Sequence, residues 1–229
     1  MPSRRQIITQ IAGAVAVPLL SAPTVLRAAN SAERSFRIIR DGTDIGFHKV
    51  SLSRSGDEIQ AAIDIEIKVK VFGITAYRYE MTNRETWRAG RLVGLNSVVN
   101  DDGENAFSRA KMDGDRLLID GSSYQGEAPA NAATTSYWSH DFLKRDTWIS
   151  TQTGALLKVT RMKTGAGAVR LADAWQPTDR WAIRGDFDVT LHYVAGEWAG
   201  VDFDAGGEVA SYAPDAVGPN LQPVWNASL

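Results

Sequence analysis

The chain predicts an all-β fold: a long-stranded antiparallel meander curled into a barrel or half-barrel, with one short helix near 136–148. The first observation behind this is the segment 57–72. Its odd positions Ile59, Ala61, Ile63, Ile65, Ile67, Val69 and Val71 are apolar, and its even positions are polar except Ala62. A period of two gives a strand one oily and one wet face, whereas a helix would scatter the same residues around its circumference. The second observation is length. At roughly 3.3 Å per residue the segment spans about 50 Å, against a usual strand of about 5–6 residues, and such strands belong to strongly twisted or curled sheets. The third is the regular spacing of turn signals between alternating segments, which marks a meander. The 229 residues suit a single β-domain that folds on its core alone. With no cysteine, disulfides, thiolate nucleophiles and cysteine-ligated metals are excluded.

Residues 1–29 read as an export signal. Arg4 and Arg5 precede an apolar run over 7–20 that is too short, and too interrupted by Thr9, Gln10, Gly13 and Pro18, to span a bilayer. Ser3-Arg4-Arg5-Gln6-Ile7-Ile8 resembles the bacterial twin-arginine signal, so the expected partner here is the export machinery and the expected location the periplasm. The residues around Ala28 make a poor cleavage motif, which leaves retention of the signal as an anchor open. Residues 1–28 hold Arg4, Arg5 and Arg27 and no acid, leaving 22 basic against 27 acidic residues in the rest. Those charges interleave, which argues against nucleic acid or an anionic membrane surface as partner.

The β-domain is expected over 30–213. A short strand at 35–40 turns at Asp41-Gly42 into a second at 44–53. There Ile45, Phe47 and Lys49 fall on one face, with Gly46, His48 and Val50 on the other. Ser55-Gly56-Asp57 leads into the long strand, and 75–87 returns beside it as a hairpin, with Lys68 and Lys70 expected opposite Glu80 and Arg78. Asn83 and Glu85 interrupt the otherwise apolar face of that return strand. Turns at Ala89-Gly90, 100–103 and 113–115 separate strands at 92–100, 106–112 and 117–120, and 121–131 is a loop. Residues 135–148 are the helix candidate, with Ser139 as N-cap. Strands at 155–162, 168–172, 180–194, 198–204 and 208–212 complete the sheet, with Gly185 read as a bend or bulge in the longest of them. The tail at 214–229 shows no periodicity and reads as irregular.

Chemical signals are sparse. Ser139-His140-Asp141 has the residue types of a hydrolytic triad, but adjacent side chains point apart and no nucleophile-elbow pattern surrounds the serine. His48, His140 and His192 lie far apart and lack helical ligand spacing, so no metal site is read, and no phosphate-cradling loop appears. No catalytic residue is assigned and the cofactor is left unknown. The densest aromatic and polar patch is Tyr137, Trp138, His140, Asp141 and Trp148, beside Lys144 and Arg145. This patch is the expected ligand-binding lining of a barrel mouth.

The residues Asp44-Ile45-Gly46-Phe47-His48, Val71-Phe72-Gly73-Ile74, Glu85-Thr86-Trp87, Thr135-Ser136-Tyr137-Trp138 and Thr151-Gln152-Thr153-Gly154 carry a resemblance. From about residue 35 to 212 the chain resembles a family of uncharacterised exported β-rich proteins of proteobacteria, a domain of unknown function. That resemblance implies no activity, cofactor or site residue. At the level of fold alone, a meander of long strands with one helix is also similar to periplasmic lipid carriers. The expected function is an exported, non-enzymatic protein whose curled sheet binds an apolar or lipid-like small molecule. The alternatives are an envelope structural or assembly factor, and an exported hydrolase or isomerase using the barrel mouth.

Overall fold

The computed structural model describes residues 30–171, 174–214 and 220–226. The segment 1–29, read from the sequence as an export signal with Arg4 and Arg5, lies outside the described residues. In chain order the strands are β1 (Ser31–Arg40), β2 (Thr43–Ser55), β3 (Glu58–Val71), β4 (Ile74–Arg88), β5 (Arg91–Asp101), β6 (Glu104–Asp113), β7 (Arg116–Gly121) and β8 (Gln125–Pro129). A three-stranded patch follows, made of β9 (Ala133–Thr134), β10 (Trp148–Ile149) and β11 (Leu156–Leu157), and then β12 (Val159–Leu171), β13 (Ala174–Gly185), β14 (Val189–Val194), β15 (Glu197–Asp204) and β16 (Val209–Pro214). A 3-10 helix, His140–Lys144, and a terminal helix α1, Leu221–Asn226, complete the described elements.

Thirteen of these strands form one antiparallel sheet in the order β12-β13-β14-β15-β16-β1-β2-β3-β4-β5-β6-β7-β8. Nearly every neighbour in space is a neighbour in sequence, as the turn signals require. The exception joins β16 to β1 and brings the two ends of the domain together in mid-sheet. The sheet is not closed into a barrel: β12 and β8 are its two unpaired edges. The segment 130–158 connects these two edges, and its β9, β10 and Trp138 are buried against the sheet. Its backbone is tied to both halves, with Leu92 N–H donating to the Ala130 carbonyl (3.1 Å), Ser123 N–H to Thr153 (3.0 Å) and Asp186 N–H to Lys158 (3.1 Å).

The alternation in β3 sends Ile59, Ala61 and Ile63 into the core, all 1% exposed or less. The β3–β4 hairpin forms with a register that sets Lys68 opposite Arg78 and Glu66 opposite Glu80, not Lys68 and Lys70 opposite Glu80 and Arg78. The charges pair along each strand instead, Lys68 with Glu66 (2.6 Å) and Arg78 with Glu80. The facing of β2 also departs from strict alternation. A register shift beside Ile38 and a positive φ of 156° at Gly46 return Ile45 to the core while Phe47 stays 40% exposed. Only glycine fits there, because a Cβ on Gly46 would sit 1.9 Å from the Glu66 carbonyl oxygen.

The helix expected near 136–148 is a single 3-10 turn, capped by Ser139, whose hydroxyl accepts from Asp141 N–H (3.3 Å). The tail, read as irregular, carries α1. Leu221, Val224 and Trp225 of that helix are fully buried, and its first amides donate to the Glu197 carboxylate at 2.9–3.0 Å. Trp225 packs edge-on against Trp138 and Trp87, with centroids 5.2 and 5.5 Å apart, and Trp87 stacks on Phe142 at 5.0 Å. These rings fill the space between the sheet and the crossing segment.

Candidate functional site

The five residues expected to line a mouth do not meet at one opening. Trp138 and Trp148 are completely buried; their indole N–H groups donate to the Glu85 carboxylate (3.2 Å) and the Arg145 carbonyl (3.2 Å). Asp141 is a clamp between helices, accepting from Trp225 Nε1 (2.7 Å) and Lys144 Nζ (2.7 Å). Burial alone would raise its pKa, but those two hydrogen bonds outweigh it and hold the carboxyl below its usual range. His140 is half-buried with its ring edge-on to Tyr193 at 4.9 Å, and burial followed by the charge of Lys144 pulls its pKa down. Of the five, Tyr137 borders a cavity formed with residues of the sheet.

That cavity, of about 250 Å³, lies between the β3–β4 and β14–β16 regions of the sheet. Alternation in β3 and β4 brings Ile65 and Ile67 to one face with Tyr77 and Tyr79, which makes one wall. Phe187, just before β14, with Val201 and Phe203 of β15 and Tyr212 of β16, makes the other. Tyr137 enters from the crossing segment. Its backbone has a left-handed φ of 38°, uncommon for a bulky residue, and its carbonyl accepts from the buried Tyr193 hydroxyl at 2.9 Å. This bond holds the turn that presents the Tyr137 ring, stacked on Phe187 with centroids 6.1 Å apart.

Beneath the aromatic wall lies a neutral polar floor. The Tyr212 hydroxyl is 3.0 Å from His48 Nδ1. His48 is 1% exposed, and its Nε2 has no hydrogen-bond partner. Burial pushes its pKa down to about 3, so the imidazole is uncharged at neutral pH. Burial likewise pushes the Tyr137 phenol up to about 12 and the Tyr212 phenol well above its usual value. The rim is different in character. Asp101, Asp188 and Asp204 border the cavity and are solvent-exposed, and no lysine or arginine lies among the lining residues. Each carboxylate is anchored by one donor: Tyr77 Oη on Asp101 (2.7 Å), Gly185 N–H on Asp188 (2.9 Å) and Gly207 N–H on Asp204 (3.2 Å).

Larger hollows of about 580 and 510 Å³ are bordered mainly by the serine, glutamine, threonine and charged side chains of the sheet's polar face. They lack the apolar wall expected of a small-molecule site. One further chain of groups has hydrolytic residue types: Thr178 Oγ1, His192 Nδ1 (3.4 Å), His192 Nε2 to Asp202 (2.8 Å), and Ser211 Oγ on the same carboxylate (2.7 Å). Thr178 is 3% and His192 7% exposed, and neither borders the cavities described above, so this chain laces four strands together. Among the described residues no cluster of three or more histidines, cysteines or carboxylates is arranged to hold a metal, and no helix is long and apolar enough to cross a membrane. The cup itself presents neutral phenols, with the neutral His48 imidazole buried behind Tyr212.

Sequence reasoning placed Tyr77 and Tyr79 on the apolar face of β4 but missed the cup as a unit. His48 and Tyr212 are 164 residues apart and meet only because β16 pairs with β1, which pairs with β2. No local pattern signals that pairing. A comparison with curated proteins finds no match. A family model described as a domain of unknown function (DUF6134) matches residues 36–215, from β1 to one residue past β16. The chain therefore belongs to the DUF6134 family, a domain of unknown function.

Proposed function

We propose that the protein is an exported, non-enzymatic binding protein that holds a small apolar molecule in the cup formed by Tyr79, Tyr137, Phe203 and Tyr212. The observation that carries this reading is a cavity of about 250 Å³ lined by aromatic and aliphatic side chains, in an interior otherwise filled by Trp87, Trp138, Trp198 and Trp225. Its size narrows the occupant. Pockets for drug-sized ligands measure about 300–1,000 Å³, so the cup suits a small molecule or one end of a longer chain. A lipid held this way would leave most of its chain outside. The test is native mass spectrometry of protein taken from its own periplasm, beside a Val201→Trp variant that fills the cup. An added mass carried by the wild type and lost from the folded variant supports the reading; identical spectra, with no added mass in either, refute it.

A second reading, an envelope assembly factor, draws on the tip of the β3–β4 hairpin. Val71, Phe72 and Ile74 stand there 50%, 102% and 74% exposed. Adjacent large apolar side chains at a projecting tip have the character of a contact surface. Photocrosslinking from position 72 in intact envelopes tests it. One discrete adduct, absent when the crosslinker sits at exposed Leu118, supports the reading, and the same pattern from both positions removes it.

A further inference from the structure

Given that the cup is a binding site, we infer that its ligand is a small organic cation, an alkylammonium group carried on a short apolar body. Ring faces present negative charge density, and ammonium groups seated against several of them are held by cation–π attraction worth about 0.5–2 kcal/mol each, most when desolvated. The cup is lined by tyrosine and phenylalanine rings, among them Tyr79, Tyr137, Phe203 and Tyr212, around one small cavity. The charge around it has one sign. Asp101, Asp188 and Asp204 border the opening, and no lysine or arginine shares the lining. Behind the lining, the Tyr212 hydroxyl is 3.0 Å from the buried His48 Nδ1, and no lysine or arginine backs it.

This arrangement selects against the obvious alternative. A fatty acid entering tail first would leave its carboxylate among three aspartates, and entering head first would bury it with no cationic partner. An alkylammonium fits both regions: the rings take its methyl and methylene groups, and the rim carboxylates complement its charge. Because those carboxylates are exposed, their share of the attraction is screened by salt, while the share due to the rings is not.

The experiment compares three probes of equal chain length, hexyltrimethylammonium, hexanol and hexanoate, titrated into the full mature chain by calorimetry and by tyrosine and tryptophan fluorescence. The ammonium is expected to bind at least about tenfold more tightly than the alcohol, in line with one to two ring contacts, and hexanoate more weakly than either. Raising sodium chloride from about 0.02 to 0.5 M should weaken the ammonium severalfold and leave the alcohol unchanged. The triple variant Asp101→Asn, Asp188→Asn, Asp204→Asn keeps the acceptor oxygens and should lose the salt dependence but not alcohol binding; the three single variants, each losing part of it, serve if the triple variant does not fold. Hexanoate binding as well as the ammonium overturns the cation assignment and leaves the cup a general apolar site. Failure of all three probes overturns the binding reading itself.

Discussion

Acid should destabilise this protein through His48, and the size of the effect follows from its surroundings. The imidazole is 1% exposed, edge-on to Trp198 at 5.0 Å and to Tyr212 at 5.4 Å, with Tyr137 beyond, and its one hydrogen bond joins Nδ1 to the Tyr212 hydroxyl. No carboxylate faces it to favour the charged form, and burial holds its pKa at about 3. In the unfolded chain the same group titrates near about 6.5. A depressed pKa means that the contribution to stability is complete above the unfolded value. It is lost as pH falls from there toward the folded value, because only the unfolded chain takes up the proton. The slope in that window is about 1.4 kcal/mol per pH unit, so lowering the pH from 7 to 5 should remove about 2 kcal/mol. The assay is urea unfolding of residues 30–229 at pH 7, 6 and 5, for the wild type and for His48→Gln, which keeps a polar partner for Tyr212 and cannot titrate. His140, pulled down by burial, and Glu197, pushed up by burial, titrate equally in both proteins and cancel in the difference. The wild type should lose about 2 kcal/mol more than the variant over this range. Parallel losses would refute the reasoning, since they would mean that His48 is protonated as readily in the folded protein as in the unfolded chain.

Four other outcomes are expected. Glu85→Ala should cost at least about 3 kcal/mol in chemical denaturation, because the carboxylate accepts from Asn83, Trp87 and Trp138 and its loss leaves three buried donors unpaired; a loss below 1 kcal/mol would show that water replaces it. Trp225→Ala should cost about 3–5 kcal/mol and free the Asp141 carboxylate, visible as an upward shift of that group in carboxyl NMR titration. Phe72→Asn should stabilise the fold by about 0.5–1 kcal/mol in the same denaturation assay, since Phe72 holds a left-handed φ of 52° with its side chain fully in solvent and Asn-Gly suits the turn. Replacing Arg4 and Arg5 together by lysine should hold the full-length chain in the cytoplasm, read by cell fractionation; an undiminished periplasmic pool would point to an ordinary secretory signal.

The strands were legible because alternation is a local property. Ile59, Ala61 and Ile63 turn inward in the structure as their spacing requires, and Ser139 caps a helical turn as its residue type suggests. Glu85 was visible as a break in the apolar row of β4, but its purpose was not, since two of its donors, Trp87 and Asn83, are local and the third, Trp138, lies 53 residues away. The candidate site was least legible. A cluster of aromatic and polar residues in sequence marks a mouth only if the chain there faces solvent, and Trp138 and Trp148 face the core. Their segment is the plug, so burying its aromatic groups is what holds the two halves of the sheet around it.

The sequence by itself determined an all-β chain of long antiparallel strands along a meander, because strand period and turn chemistry act over a few residues. Even so, β8 lies within the expected loop at 121–131, and β12 runs unbroken across the two strands expected at 155–162 and 168–172. Only the tertiary structure decided that the sheet stays open around 130–158, that the tail ends in a buried helix, and that His48 and Tyr212 meet beneath a ring of aromatic side chains. Those features depend on which distant segments compete for one inner face, and that competition is settled by the volume each can fill.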